Sequence, residues 1–166
     1  MKSDLTPKQI VSIGALYGLY ACLLFIGWFL LMRLIGMATV VELRFFNYVL
    51  LAITVYYAAR KAESYKHWRL KYLQAFIVIF ATGFFSFIYF GFFILNYSLI
   101  DPFIINTFSS LFPGSAVMGK LSAPFLIASE GISITSIISL SMAFFVQEYS
   151  GHRHKNSGEI ITLGDH

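Results

Sequence analysis

Residues 72–97 read YLQAFIVIFATGFFSFIYFGFFILNY. The run contains no charged residue and is dense in Phe. Crossing the hydrocarbon core as a helix takes about 20 apolar residues, and this run exceeds that length. It lacks regular polar–apolar alternation, which favours helix over strand. A spanning segment must also satisfy its own backbone, as a helix does internally.

Three more runs qualify on the same grounds. Residues 10–32 carry no charge. Residues 43–59 are a shorter run with Arg44 at its start. Residues 124–146 are serine-rich and contain Glu130. The chain therefore reads as one all-α membrane domain over 1–149, with four transmembrane helices in an antiparallel bundle. A polar cytoplasmic tail follows over 150–166. "LYAC" at 19–22 faintly resembles a lipoprotein cleavage box, but the apolar run continues to residue 32, so an uncleaved helix is expected.

Composition agrees. The 166 residues are 58% hydrophobic and 12% charged, about half the 25% charge usual in soluble domains. The net charge of +4 does not imply a nucleic-acid partner. The basic residues cluster at the ends of the apolar runs, where they meet lipid headgroups and set topology. The single cysteine, Cys22, excludes an intrachain disulfide.

Orientation follows from Lys and Arg. Residues 60–71, RKAESYKHWRLK, contain Arg60, Lys61, Lys66, Arg69 and Lys71. Lys2, Lys8, Arg153 and Lys155 fall on the same side of a four-pass chain, and Arg33, Arg44 and Lys120 on the other. The richer side is cytoplasmic by the positive-inside rule, so both termini are expected there. Trp68, Tyr65 and Tyr72 suit an interfacial aromatic belt beside that loop.

The connection over 98–123 is too long for a simple turn. Asp101-Pro102 reads as a helix N-cap followed by Pro at the first helical position. Ile104, Phe108, Leu111 and Phe112 recur at helical spacing before Pro113-Gly114. A short interfacial helix over 101–112 is expected on the outer surface.

Inside lipid, small residues and interhelical hydrogen bonds join helices. Gly14 and Gly18, with Ala21, form a small-xxx-small stripe. Arg44, Asn47, Thr54 and Ala58 share a face of the second span. Thr82, Ser86, Tyr89 and Asn96 share one on the third. Ser129, Ser133, Ser136, Ser139 and Ala143 form the fourth stripe. These faces are expected to line the bundle interior.

Glu130 is the oddity. Six residues into the last span, it lies roughly 9 Å below the interface. An ionised carboxylate there costs at least about 2.5–3.5 kcal/mol on insertion scales. It should be paired or protonated and should face inward. Arg44 enters the second span from the same side and is the expected partner. Arg44, Asn47, Tyr89, Asn96 and Glu130 thus make a candidate intramembrane polar cluster. It reads either as a clamp that sets helix register or as a site for a cation or proton.

Other chemistry is thin. His67, His152, His154 and His166 all lie outside the spans. There is no zinc-protease, Cys-x-x-Cys, phosphate-loop or nucleophile-elbow motif. The sequence points to no catalytic residue, no cofactor and no metal. His152 and His154 read as part of a solvated tail.

Several stretches resemble the bacterial four-pass membrane proteins grouped as domain-of-unknown-function family 4199. They are GALYG in the first span, LRFFNYVLLAITVYYAARK in the second, NYSLIDPF after the third and SEGISITSIISLSMAFFVQEY in the fourth. Together they cover most of 14–149. The resemblance implies a one-domain protein of the bacterial inner membrane and carries no activity. It places Arg44, Asn47, Asp101, Pro102, Glu130 and Gly131 at the family's polar and Gly/Pro positions. A second glycine expected after Gly131 is replaced by Ser or Thr over 133–135. The expected function is a non-enzymatic accessory, scaffold or self-associating membrane subunit, contacting lipid and either its own copy or another membrane protein. The rival is a small transporter or ion-coupled permease that uses Glu130.

Overall fold

The computed structural model describes residues 5–37, 43, 45–66, 71–101 and 125–146. Among them are four helices and no strand. Arg44, the expected interfacial helix beyond Asp101 and the 150–166 tail lie outside the described residues.

Helix α1 spans Pro7–Ile35, beginning three residues before the apolar run. The local sequence Thr6-Pro7-Lys8-Gln9 explains the early start. The Gln9 backbone N–H donates to Thr6 Oγ1 at 3.3 Å, and the Thr6 N–H donates to Gln9 Oε1 at 2.9 Å. This reciprocal capping box, with Pro7 in the first turn, satisfies donors that would otherwise be orphaned. Gly36 ends the helix at φ 78°, a left-handed turn that glycine adopts without Cβ strain.

Helix α2 spans Phe45–Lys66. It continues through most of the basic stretch expected to be loop. Arg60 Nη1 meets Glu63 Oε2 at 3.0 Å, one helical turn apart, and Ser64 Oγ donates to the Lys61 carbonyl at 2.7 Å. Helix α3 spans Tyr72–Ile100. Helix α4 spans Phe125–Val146.

Three of the four are long and apolar enough to cross a membrane: Pro7–Ile35, Tyr72–Ile100 and Phe125–Val146. Helix α2 is not among them, because its C-terminal turns carry Arg60, Lys61, Glu63 and Lys66.

The contacts give the topology. Gly14 faces Ala81, and Gly18 faces Phe85 and Ser86. Farther along, Phe25 packs on Phe87 and Phe90, and Phe29 on Phe93 and Tyr97. Numbers rise together on both helices, so α1 and α3 run parallel. The indole of Trp28 donates to the Leu43 carbonyl at 3.0 Å and its ring lies 4.2 Å from that of Phe46. At the other end, Lys8, Gln9 and Ser12 line a groove with Tyr65. Helix α2 therefore runs antiparallel to α1. Thr135 packs on Gly83, Phe87 on Gly131, and the Tyr72 hydroxyl donates to the Leu140 carbonyl at 3.4 Å. Helix α4 is thus antiparallel to α3. The four elements go up, down, up and down.

The core contains Phe25, Leu51, Val55, Val78, Ile79 and Ile94, all buried. Thr54, Thr82, Ser86, Thr135 and Ser139 are buried among them. Most of these hydroxyls turn back to their own helix. Thr54 donates to Leu50 O, Thr82 to Val78 O, Ser86 to Gly83 O and Ser139 to Thr135 O, at 2.6–2.9 Å. Such bonds let hydroxyls sit in an apolar interior without an interhelical partner.

Candidate functional site

Helix α4 brings Glu130 to the level of Phe87, near the middle of α3 and beside the first turns of α2. Gly131, the next residue, points inward, and the Phe87 ring lies directly on it. A Cβ on Gly131 would fall 2.2 Å from ring carbons of Phe87. One residue earlier, 100° around the helix, Glu130 points outward and is exposed. The glycine beside the carboxylate is explained by that ring.

Glu130 does not face the interior as expected. Its Oε1 accepts a hydrogen bond from the Tyr48 hydroxyl of α2. Sequence reasoning passed over Tyr48. It sits next to Asn47, in the first turns of α2, at a depth matching Glu130. The expected partner Arg44 is outside the described residues.

The rest of the expected cluster disperses. Asn47 is half-buried, and its Oδ1 is enclosed with no hydrogen-bond partner among the described residues. Tyr89 is half-buried and stacks on Phe85 at 6.0 Å. Asn96 is exposed, and its Nδ2 donates to Phe92 O on its own helix at 2.7 Å. The described hydrogen bonds join none of these three to Glu130.

The serine stripe is rotated from its expected position. Ser139 and Ala143 are buried, Ser136 is half-buried, and Ser129 and Ser133 are exposed. The inward row is Gly131, Thr135, Ser139 and Ala143. Ser129, Ser133 and Ser136 donate to Leu126 O, Ser129 O and Ile132 O, so their hydroxyls do not force them inward. Thr135 Oγ1 is buried with no hydrogen-bond partner among the described residues. Gly14 and Gly18 are both buried in the α1–α3 contact inside the chain.

A second polar coupling lies farther along, where α1 and α3 end. Arg33, near the end of α1, reaches Asp101 at the end of α3. Arg33 Nη2 is 2.9 Å and Nε 3.3 Å from Asp101 Oδ2, and the Tyr97 hydroxyl donates to the same oxygen at 2.9 Å. Asp101 is the C-cap of α3, its N–H bonded to Tyr97 O at 2.9 Å. Its expected role as the N-cap of a following helix left its carboxylate unassigned. The signal was available: two opposite charges close the ends of two long apolar runs on the same side.

Among the described residues no three His, Cys, Asp or Glu side chains converge as metal ligands would. The arrangement thus consists of two separate helix couplings, Tyr48–Glu130 beside the middle of α3 and Arg33–Asp101 at its end. With three helices long and apolar enough to cross a membrane, the chain has the character of a membrane-embedded helical protein. No family model, curated protein or solved structure matches the chain.

Proposed function

We propose that the chain is a small non-enzymatic accessory or self-associating subunit of a bacterial inner membrane. In this reading α2 crosses with the other three helices, and both termini are cytoplasmic. Membership of the four-pass family of unknown function that the sequence resembles is part of the proposal. The observation that carries it is where the polarity sits. Most interior hydroxyls are tied to their own helices, while the one carboxylate of α4 is turned outward. That arrangement suits a protein that binds through its surface. An ion-coupled carrier would need Glu130 on a path through the bundle, and Gly131 and Phe87 occupy the inward position instead.

The test is affinity purification of the tagged full-length chain from native membranes in mild detergent. A stoichiometric partner, either a second copy or another membrane protein, is expected. Recovery of monomer alone overturns the proposal. Release from membranes by alkaline carbonate would overturn the membrane reading beneath it.

A further inference from the structure

The start of α1 and the last turn of α2 enclose a groove of about 220 Å³, lined by Thr6, Lys8, Gln9, Ser12, Ile13 and Tyr65. It is smaller than the roughly 300–1,000 Å³ of pockets that enclose a whole small molecule. Its polar lining is rich in donors. The Lys8 ammonium and the hydroxyls of Ser12 and Tyr65 are donors. Gln9 Oε1 accepts from the Thr6 N–H at 2.9 Å and from the Thr6 hydroxyl at 3.0 Å, which leaves the NH2 end of the amide to donate. A second cation stands against Tyr65, with Lys61 Nζ 5.4 Å from the centre of its ring. Among the described residues one acid lies at this end of the bundle, Glu63, and Arg60 bonds it at 3.0 Å. Lys8 and Lys61 enter no ion pair among the described residues. The opposite end of α1 differs, because Arg33 is matched there by Asp101.

Beyond the groove the same face of α1 turns apolar. Ser12, Leu16, Leu19 and Leu23 follow at steps of four, three and four residues, and all are exposed. One line on the surface thus runs from cations and hydroxyls at the helix start to leucines along the span. A phospholipid has the same order, an anionic head followed by acyl chains. We propose that the groove is a binding site for the phosphate-bearing headgroup of an acidic phospholipid, with an acyl chain lying along Leu16, Leu19 and Leu23. The proposal rests on the membrane reading above and goes beyond the accessory-subunit one.

Charge explains the selectivity. A zwitterionic lipid carries a phosphate and its own ammonium group, and that ammonium is repelled by Lys8 and Lys61. An acidic lipid brings the phosphate alone. The first turn of α1 contains no acid, so the positive end of the helix dipole adds to the same field. The groove also gives a use to the part of α2 that outruns its apolar stretch. The Arg60–Glu63 turn keeps the chain helical, and that helix carries Lys61 and Tyr65 to the start of α1. A bound headgroup would touch both helices and hold their ends together.

The experiment uses the full chain. Flotation with vesicles of pure phosphatidylcholine first reports insertion alone. Native mass spectrometry from mixed micelles containing equal phosphatidylglycerol and phosphatidylcholine then counts retained lipid. Wild type should retain phosphatidylglycerol in preference by about tenfold or more. Lys8→Gln and Lys61→Gln should each lower that preference about fivefold, the contribution of one basic side chain at an anionic surface. Ser12→Leu, which fills the groove without changing charge, should lower it about threefold, the size of one hydrogen bond. Lys71→Gln is the control, exposed at the same end and outside the groove, and should leave the preference unchanged. Inorganic phosphate at the concentration of the lipid should displace little of it.

A loss in Lys71→Gln equal to that in Lys8→Gln would mean diffuse surface charge and overturns the site. Full preference in the double variant Lys8→Gln, Lys61→Gln overturns it as well. Ready displacement by inorganic phosphate would make the groove a site for a soluble phosphate and overturns the lipid assignment. A preference that emerges only when residues 150–166 are deleted would put the chain's own tail, with Glu159 and Asp165, in the groove, and this too overturns the proposal. Helicity by circular dichroism shows that each variant is folded. Flotation without lipid preference overturns this proposal alone, whereas failure to float overturns the membrane reading together with it.

Discussion

The α1–α3 contact and the outer face of α4 are made from similar residues and behave oppositely. Between α1 and α3, glycines bring backbones together, Phe side chains alternate along the line, and Arg33 and Asp101 close the end. On α4, small residues, apolar residues and one acid recur at equally regular spacing but are exposed. Half of α3's spanning window is buried, against 17% of α4's. Regular spacing therefore establishes that a face can pack, and leaves open whether its partner is in the same chain. Within the chain, that question is decided by complementarity of shape. Gly14 and Gly18 fit Ala81 and Phe85, Gly83 fits Thr135, and Gly131 fits Phe87.

The largest effect is expected from breaking the α1–α3 side. A Cβ at Gly18 would stand 2.8 Å from Phe85 Cβ and 3.0 Å from both Ser86 N and Thr82 O. Backbone atoms cannot step aside as a side-chain tip can. Gly18→Leu should destabilise the fold by about 3 kcal/mol or more, the upper range for overpacking. Unfolding in mixed micelles checks this. Leu23→Ala, on the exposed face of α1, should change stability by less than about 0.5 kcal/mol. If both variants behave alike, the contrast between the two faces fails.

These two positions also show how far the sequence could be read. Helix number, the up-and-down order and the stripe of Gly14, Gly18 and Ala21 were legible, because long uncharged runs and small-residue spacing reflect strong constraints. Helix ends were less so. Thr6 and Gln9 extend α1 by hydrogen bonding that hydropathy does not register, and the Arg60–Glu63 pair carries α2 past its apolar stretch. The rotation of α4 was not legible. Hydroxyls line both of its faces, and each can bond its own backbone, so their pattern does not mark the inside. What orients α4 is the fit of Gly131 to a ring on another helix. Glu130 turned outward for the same reason, and the Arg33–Asp101 pairing depended on knowing that α1 and α3 run parallel.

A smaller effect is expected at Gly131. Gly131→Ala places a methyl on the Phe87 ring, which must swing away and disturb its contact with Phe25 at 5.4 Å. About 1–3 kcal/mol of destabilisation is expected. Phe87→Leu in the same chain should recover part of it, and a double-mutant cycle measures the coupling. Strictly additive effects would mean that the ring does not hold α4 in its rotation.

Smaller again is the closure between α1 and α3. Arg33→Met and Asp101→Asn should each lower the unfolding midpoint slightly, and less than Gly131→Ala. The ion-pair side chains are 38% and 23% exposed, so solvent and salt weaken their attraction. The double variant should lose less than the sum of the two. Raising salt should narrow the gap between wild type and either single variant. A loss as large as that of Gly18→Leu would show that the helix ends, and not the glycine contact, hold α1 to α3.

The smallest effect within one chain is expected for the Tyr48–Glu130 bond. Glu130 is exposed and Tyr48 half-buried, and one neutral hydroxyl meets one carboxylate. A double-mutant cycle on Tyr48→Phe and Glu130→Gln, read on dilute monomer in detergent, should give a coupling of about 0.5–1.5 kcal/mol. A coupling near zero would mean that this bond does not hold α4 to α2, and that the fit of Gly131 to the Phe87 ring sets the rotation of α4 without it.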